Sequence, residues 1–168
     1  MPKIIENLEN RLIDEARKQI QEQGYSAVTI RSVANACGVG VGTVYNYFTS
    51  KDDLLAAYML QDWKQSMDIA CSAGAHAQSP LTVLETLYVQ ICGFVGRYED
   101  VFRDPEARVG FSPNYTRYHR ELRNQIAAPI RKFCESDFAA DFVAEAMLTW
   151  TLAGRSFEEL YGMIEKLF

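Results

Sequence analysis

The chain has 168 residues, 48% of them hydrophobic, and a formal net charge of −5. That length allows one two-part fold or two small domains around a packed core, and the lack of any low-complexity or Pro/Gly-rich run excludes an extended disordered region. No apolar run approaches the roughly 20 residues a membrane-spanning helix needs, and Met1-Pro2-Lys3-Ile4 has neither the charged nor the apolar part of a secretory signal; the expectation is a cytoplasmic protein.

Every long segment reads as helix, and strand-like alternation is nowhere sustained. The first helix carries Ile5, Leu8, Leu12, Ala16 and Ile20 on one face and ends at Gly24, where a left-handed cap is easiest. Thr29 caps a short second helix, Ile30 to Cys37, that Gly38 stops. After Gly38-Val39-Gly40 comes a third helix, Val41 to Phe48. Ser50 opens a fourth, with Asp53 completing a capping box, and this helix runs toward Ala70. Gly74 to Ser79 reads as a loop, and Ser79-Pro80 starts the next helix. Asp104-Pro105 and Ser112-Pro113 bracket a short helical piece. A long helix follows from Tyr115 to Phe133, with a kink expected at Pro129. Asp137 is read as the cap of the last helical region. Gly154-Arg155-Ser156 divides that region, and Ser156 with Glu159 forms a further capping box.

Charge is unevenly spread. Residues 1–51 hold six Lys/Arg and five Asp/Glu, a net of +1, so the negative charge belongs to the rest of the chain. A nucleic-acid partner is therefore compatible with the overall sign. Phosphate affinity per subunit should be modest, and pairing of two subunits would offset that. The four cysteines, Cys37, Cys71, Cys92 and Cys134, form no CxxC or Cys/His group. Neither a metal site nor a disulfide is expected, and the thiols are read as buried and free.

The richest stretch is residues 28–55, VTIRSVANACGVGVGTVYNYFTSKDDLL. Two short helices joined by a glycine turn form a helix-turn-helix, whose second helix fits the major groove. Val33, Ala34, Cys37, Val39, Val44 and Phe48 would face inward, with Ala34 small enough for a close crossing. Thr29, Arg31, Thr43, Tyr45, Asn46, Tyr47 and Lys51 are left to face outward.

This stretch resembles the tetracycline-repressor (TetR) family of bacterial regulators. The residues that carry the resemblance are Gly24-Tyr25, Thr29, Ala34, Cys37-Gly38-Val39, Gly42-Thr43-Val44-Tyr45, Tyr47-Phe48, Ser50-Lys51 and Leu54-Leu55. They cover about the first third of the chain, and the G-T-V-Y-x-Y-F-x-S-K run is highly specific. The resemblance implies an all-α fold: a three-helix DNA-binding domain over 1–52, then a ligand-binding and dimerisation domain over 53–168. It implies phosphate contacts for Thr29, through hydroxyl or backbone N–H, and for Tyr45, Tyr47 and Lys51. Gly42 would permit close approach, and Thr43 would reach a base edge or a phosphate. Arg31 and Asn46 are candidates for base or backbone contact, and Val41 is limited to a thymine methyl. The sequence departs from the family at Gly40, usually Ser or Thr, and at Val41, often polar or basic. Both changes remove hydrogen bonds from base readout, so preference should lean on DNA shape.

In the second domain, the resemblance implies that the last two long helices pair with their mates in a homodimer. Leu122, Ile126, Phe138, Phe142, Ala146, Trp150 and Ala153 are the candidate interface. A palindromic operator is then expected, since two recognition helices would lie about 34–36 Å apart. Trp63, Met67, Tyr88, Cys92 and Phe102 are candidates to line an effector pocket, together with Phe111, Tyr115, Tyr118, His119 and Trp150. Such a lining suits an apolar or aromatic small molecule, although aromatics at helical spacing also serve as core. Arg117, Arg120 and Arg123 form a basic cluster that reads as a solvated face or as a contact for an anionic ligand. The effector would act by population shift, with the fourth helix as lever, and repression is the family's commoner mode.

No cofactor is expected. Two other readings stay open. An enzyme would have to use His76 or His119, the only histidines, and no catalytic motif surrounds either. An interaction protein of the same fold without DNA binding is compatible with Gly40, Val41 and the near-neutral N-terminal region.

Overall fold

The computed structural model describes residues 7–107 and 115–168, with backbone alone for 115 and 116. Among these residues the regular structure is helical: α1 (Leu8–Gln23), α2 (Ile30–Ala36), α3 (Val41–Tyr45), α4 (Lys51–His76), α5 (Pro80–Arg97), α6 (Glu99–Arg103), α7 (Tyr115–Ile130), α8 (Asp137–Leu152) and α9 (Phe157–Ile164). The all-α expectation holds. No helix among the described residues is long and apolar enough to cross a membrane. Ile5, Ser112 and Pro113 lie outside the described residues.

The chain forms two compact units. One comprises residues 7–61 with 99–107, the other 62–98 with 115–168. In the first, α1 packs on α2 and α2 on α3. Leu12, Val33, Ala34, Val44 and Leu55 are fully buried, with Phe48 almost so. In the second, α8 packs against α5, α7 and α9. Its core includes Trp63, Leu84, Leu87, Ile91, Ile126, Ile130 and Met147. The Phe94 ring meets Trp63 edge-on at 5.0 Å and lies 4.8 Å from the Tyr98 ring, the offset geometries that aromatic quadrupoles favour.

Several boundaries differ from the sequence reading. Gly24 has φ 82° and ψ 162°, an extended positive-φ conformation, so the first helix does not close in a left-handed cap. The third helix ends at Tyr45, and residues 46–47 continue as a turn in which the Tyr47 and Phe48 N–H groups both donate to the Val44 carbonyl. The fourth helix passes the expected loop start and reaches His76. Gly74 therefore serves close packing within a helix, since a Cβ there would meet the Pro129 Cβ at 3.0 Å and its carbonyl oxygen at 3.2 Å. Pro129 sits inside α7, which passes into a 3-10 turn at Arg131. The cap of α8 is Ser136, whose hydroxyl accepts the Ala139 N–H, and Asp137 is its first helical residue. The Ser156–Glu159 capping box forms as expected, after Gly154 turns the chain at φ 79°. The cysteines correct another expectation. Cys71 and Cys92 are exposed because their positions on α4 and α5 fall outside the buried stripes, and Cys37 and Cys134, which follow the ends of helical segments, are half-buried.

Candidate nucleic-acid interface

The surface is built on the α2–α3 crossing. Thr29 has extended backbone, and its hydroxyl accepts the Ser32 N–H at 3.0 Å while the Ser32 hydroxyl accepts the Thr29 N–H at 3.1 Å. This reciprocal cap starts α2. It also commits the Thr29 N–H, so the exposed hydroxyl proton is the donor left for an outside acceptor. Ser32 in turn donates to the buried Gln19 side chain at 2.6 Å, which ties the cap to α1.

Gly38 adopts φ +69° and reverses the chain, a conformation that glycine enters without a Cβ penalty. The Val39 N–H then returns to the Ala34 carbonyl at 3.0 Å. Gly40 stands at the N-terminus of α3 with φ −71°, and no side chain caps it. A Cβ at Gly40 would meet only the Thr43 hydroxyl, at 3.8 Å, and one at Gly42 would meet nothing within 4 Å. Packing among the described residues does not demand glycine at either place, and a side chain at Gly42 would enter open space among them.

Burial sorts the remaining residues. Val33, Ala34, Val44 and Phe48 are buried, and Cys37 and Val39 are half-buried. Tyr45 is 53% exposed and Tyr47 41%, so both phenols stand at the surface instead of completing the core. Arg31, Gly42 and Asn46 are exposed, and Val41 and Thr43 are half-buried. Thr29, Arg31, Gly42, Tyr45, Asn46 and Tyr47 are thus exposed residues of α2, α3 and their flanking turns.

Lys51 begins α4 and is held more tightly than its spacing suggests. Its ammonium lies 4.0 Å from the centre of the Tyr25 ring, 3.3 Å from the Tyr25 carbonyl and 3.7 Å from a Glu106 carboxylate oxygen. The Tyr25 hydroxyl donates to Asp52. Burial, then that bond and the charges of Asp52, Asp104 and Glu106, push the phenol well above the ordinary tyrosine range. Ser50 accepts the Asp53 N–H at 3.1 Å as expected, but the Asp53 carboxylate reaches Thr49, accepting its N–H at 3.0 Å. The predicted box is therefore shifted by one residue on its return arm. Tyr25, Asp104 and Glu106 were absent from the sequence-based site. Only chain folding brings residues 104–107 to this place, and no local pattern signals it.

The proposed sensing residues are spread more widely. Trp63 and Met67 are buried, Tyr88, Tyr118 and His119 are half-buried, and Cys92 and Trp150 are exposed. Phe102 belongs to the first unit. Phe111 and the Tyr115 side chain lie outside the described residues. Of the dimerisation candidates, Phe138 is 78% exposed, Phe142 54% and Trp150 49%. Ala153 is exposed too, while Ala146 and Leu122 are half-buried. Ile126 is fully buried within the second unit, so its side chain belongs to the protomer core. Among the described residues no group of three or more His, Cys, Asp or Glu could hold a metal.

Comparison with known proteins places these features in context. Residues 12–58 match the family described as "Bacterial regulatory proteins, tetR family". The HTH-type transcriptional regulator HbdR of Aromatoleum sp. (strain CIB) is 41% identical over 54 residues, 32% of this chain and 24% of that protein. UidR of Escherichia coli (strain K12) is 30% identical over 57 residues, 34% of this chain and 29% of its own length. The matched regions thus span under a third of either relative. BetI of Rhizobium meliloti (strain 1021) is 27% identical over 139 residues, covering 76% of this chain and 66% of BetI. Among solved structures, the Thermus thermophilus repressor FadR, in complex with lauroyl-CoA, superposes with a TM-score of 0.66 at 21% identity, over 95% of this chain and 92% of that one. AlkX of Dietzia sp. gives 0.62 at 18% identity, over 93% of each chain. At such identities the structural likeness speaks for the fold.

Proposed function

We propose, from the match of residues 12–58 to the bacterial tetR family of regulatory proteins, that the chain is a DNA-binding transcriptional regulator, a repressor, and not an enzyme. The observation that carries this is the exposed set around α2 and α3, with Tyr45 and Tyr47 standing out over a buried Val33, Ala34, Val44 and Phe48. In that role Thr29, Tyr45 and Tyr47 hold phosphates through hydroxyls, and Lys51 neutralises one. Arg31, Thr43 and Asn46 reach base edges or backbone, while Val41 and Gly42 meet the groove wall. In vitro selection of bound sequences from random duplex DNA tests the reading. An enriched palindrome is expected, and Tyr45→Ala should abolish the enrichment. A pool that stays random through successive rounds would remove DNA binding and favour the interaction-protein reading.

The same reading makes residues 53–168 a sensing and dimerising region. The exposed Phe138, Phe142 and Trp150 on one face of α8 support a homodimer, which matches a palindromic operator. A small apolar or aromatic effector, acting on a cytoplasmic protein, is supported by the Trp63, Phe94 and Tyr98 rings. The Trp63 indole N–H is buried with no hydrogen-bond partner among the described residues, a donor that a ligand acceptor or a water would satisfy. The Thermus repressor of the same fold is found in complex with lauroyl-CoA, a ligand of partly apolar chemistry, which supports such an effector here. Effector binding would favour a dimer state whose recognition helices no longer fit successive grooves.

A further inference from the structure

After α6 the chain begins another helix at residues 105–107, capped by Asp104, and this turn of helix sets acidic groups beside the first turn of α4. One Asp104 carboxylate oxygen accepts the Glu106 N–H at 2.8 Å and the Ala107 N–H at 3.3 Å. The other accepts the Ser26 hydroxyl at 2.7 Å, between α1 and α2. That hydrogen bond, then the two backbone N–H groups and Lys51, hold the Asp104 carboxyl below its ordinary range, which favours the ionised form that accepts these bonds. Hooked this way, the turn presents Glu106 to Lys51 at 3.7 Å. The Lys51 ammonium is then enclosed by the Tyr25 carbonyl, the Tyr25 ring and the Glu106 carboxylate.

We propose that residues 104–107 form an acidic clasp that masks Lys51, so that a DNA phosphate must displace Glu106 before Lys51 can bind it. This rests on the DNA-binding reading above. Strength decides whether such a clasp can work. The Glu106 side chain is 68% exposed, and an exposed pair of this kind is weak and screened by salt. A duplex, with its dense phosphate charge, can outcompete it. The Ser26–Asp104 bond keeps Glu106 in place, so loosening it raises the fraction of free Lys51. The clasp is thus a bistable contact that lowers affinity when closed.

The test uses the full chain and a fluorescein-labelled mixed-sequence DNA duplex, with binding read by anisotropy across a salt series. Glu106→Gln should tighten binding roughly two- to fivefold at low salt and steepen the log–log salt slope by about 0.9 per subunit. Ser26→Ala should move both quantities in the same direction. Neither change should alter binding when Lys51→Met is also present. Equal tightening in the Lys51→Met background would mean simple loss of a negative charge and overturn the clasp, as would no tightening in either background. Trace acetylation without DNA gives a second readout, in which Lys51 should react faster in Glu106→Gln; an unchanged rate also overturns the proposal. Absence of duplex binding by the unaltered protein and every variant sinks the DNA-binding reading itself, whereas binding unaffected by Glu106→Gln sinks only the clasp.

Discussion

At the level of single residues, what the candidate interface can offer depends on which hydrogen-bond donors the fold has already used. Thr29 gives its N–H to Ser32 and keeps its hydroxyl proton. Gly40 supplies no cap at all, although its φ of −71° and open surroundings suit a serine. Gly40→Ser should therefore raise stability by a few tenths of a kcal/mol, seen as a higher urea midpoint, and should strengthen duplex binding through its added hydroxyl. A lower midpoint would show that the start of α3 differs from this geometry. Tyr25 provides a pH signature. Its folded-state pKa is raised, first by burial and then by Asp52, so the stability it contributes is fully present below the ordinary tyrosine pKa near 10 and is lost as pH rises beyond that value. Tyr25→Phe should lower stability by about 1–2 kcal/mol near neutrality, through the lost hydrogen bond to Asp52, and should flatten the decline above pH ~10. An alkaline limb identical to that of the unaltered protein would remove the raised phenol from the account.

At the scale of elements, caps and close contacts decide where helices stop. The reciprocal caps at Thr29 and Ser156 are local, and the sequence spells out the second of them with Ser156 and Glu159. The end of α4 is decided elsewhere. Gly74 is a poor helix former, yet it remains helical because Pro129 lies against it. Gly74→Ala sets a propensity gain of about 1 kcal/mol against overpacking that costs about 1–3 kcal/mol. The backbone oxygen of Pro129 is among the atoms in the way, so the net effect should be destabilising by up to ~2 kcal/mol, measured by chemical denaturation. A more stable variant would show that α7 yields at this point. His119 on α7 and Glu145 on α8 add a polar tie at 2.9 Å, with Thr149 donating to the same carboxylate at 2.7 Å. Burial raises the Glu145 carboxyl, but the Thr149 and His119 hydrogen bonds and the His119 and Arg123 charges outweigh it and hold it below its ordinary value.

At the scale of the molecule, the outer face of α8 exposes a group of aromatic side chains. Its inner stripe of Ala140, Val143, Ala144, Met147 and Leu148 is buried, while Phe138, Phe142 and Trp150 face away from that core. Exposed aromatics grouped on one helix mark an interaction surface, and a homodimer is the proposed occupant. Phe142→Arg should shift the protein toward monomer in analytical ultracentrifugation and weaken palindrome binding more than binding of a single half-site. An unchanged sedimentation coefficient would remove this face from the interface.

The helical class, most of the helix starts, and the helix-turn-helix with exposed Thr29, Arg31, Tyr45, Asn46 and Tyr47 are legible in the sequence, whereas Thr43 and Lys51, expected outward, are half-buried. The legible features are written in short-range terms: the 3.6-residue period, glycine at positive φ, and a hydroxyl one residue before a helix. Other features lay beyond that range. The length of α4, the exposure of Cys71 and Cys92, the burial of Ile126, and above all the placement of residues 104–107 in the first unit depend on partners far away in the chain. Spacing identifies a face of a helix but not what covers it. The helix-turn-helix was legible because its caps and core are contained within about one helical hairpin's length of chain. Only the tertiary structure decided that Lys51, its charge plain from the sequence, would be enclosed by the Tyr25 ring and faced by Glu106, because an ion pair between residues this far apart exists only once the intervening helices have packed.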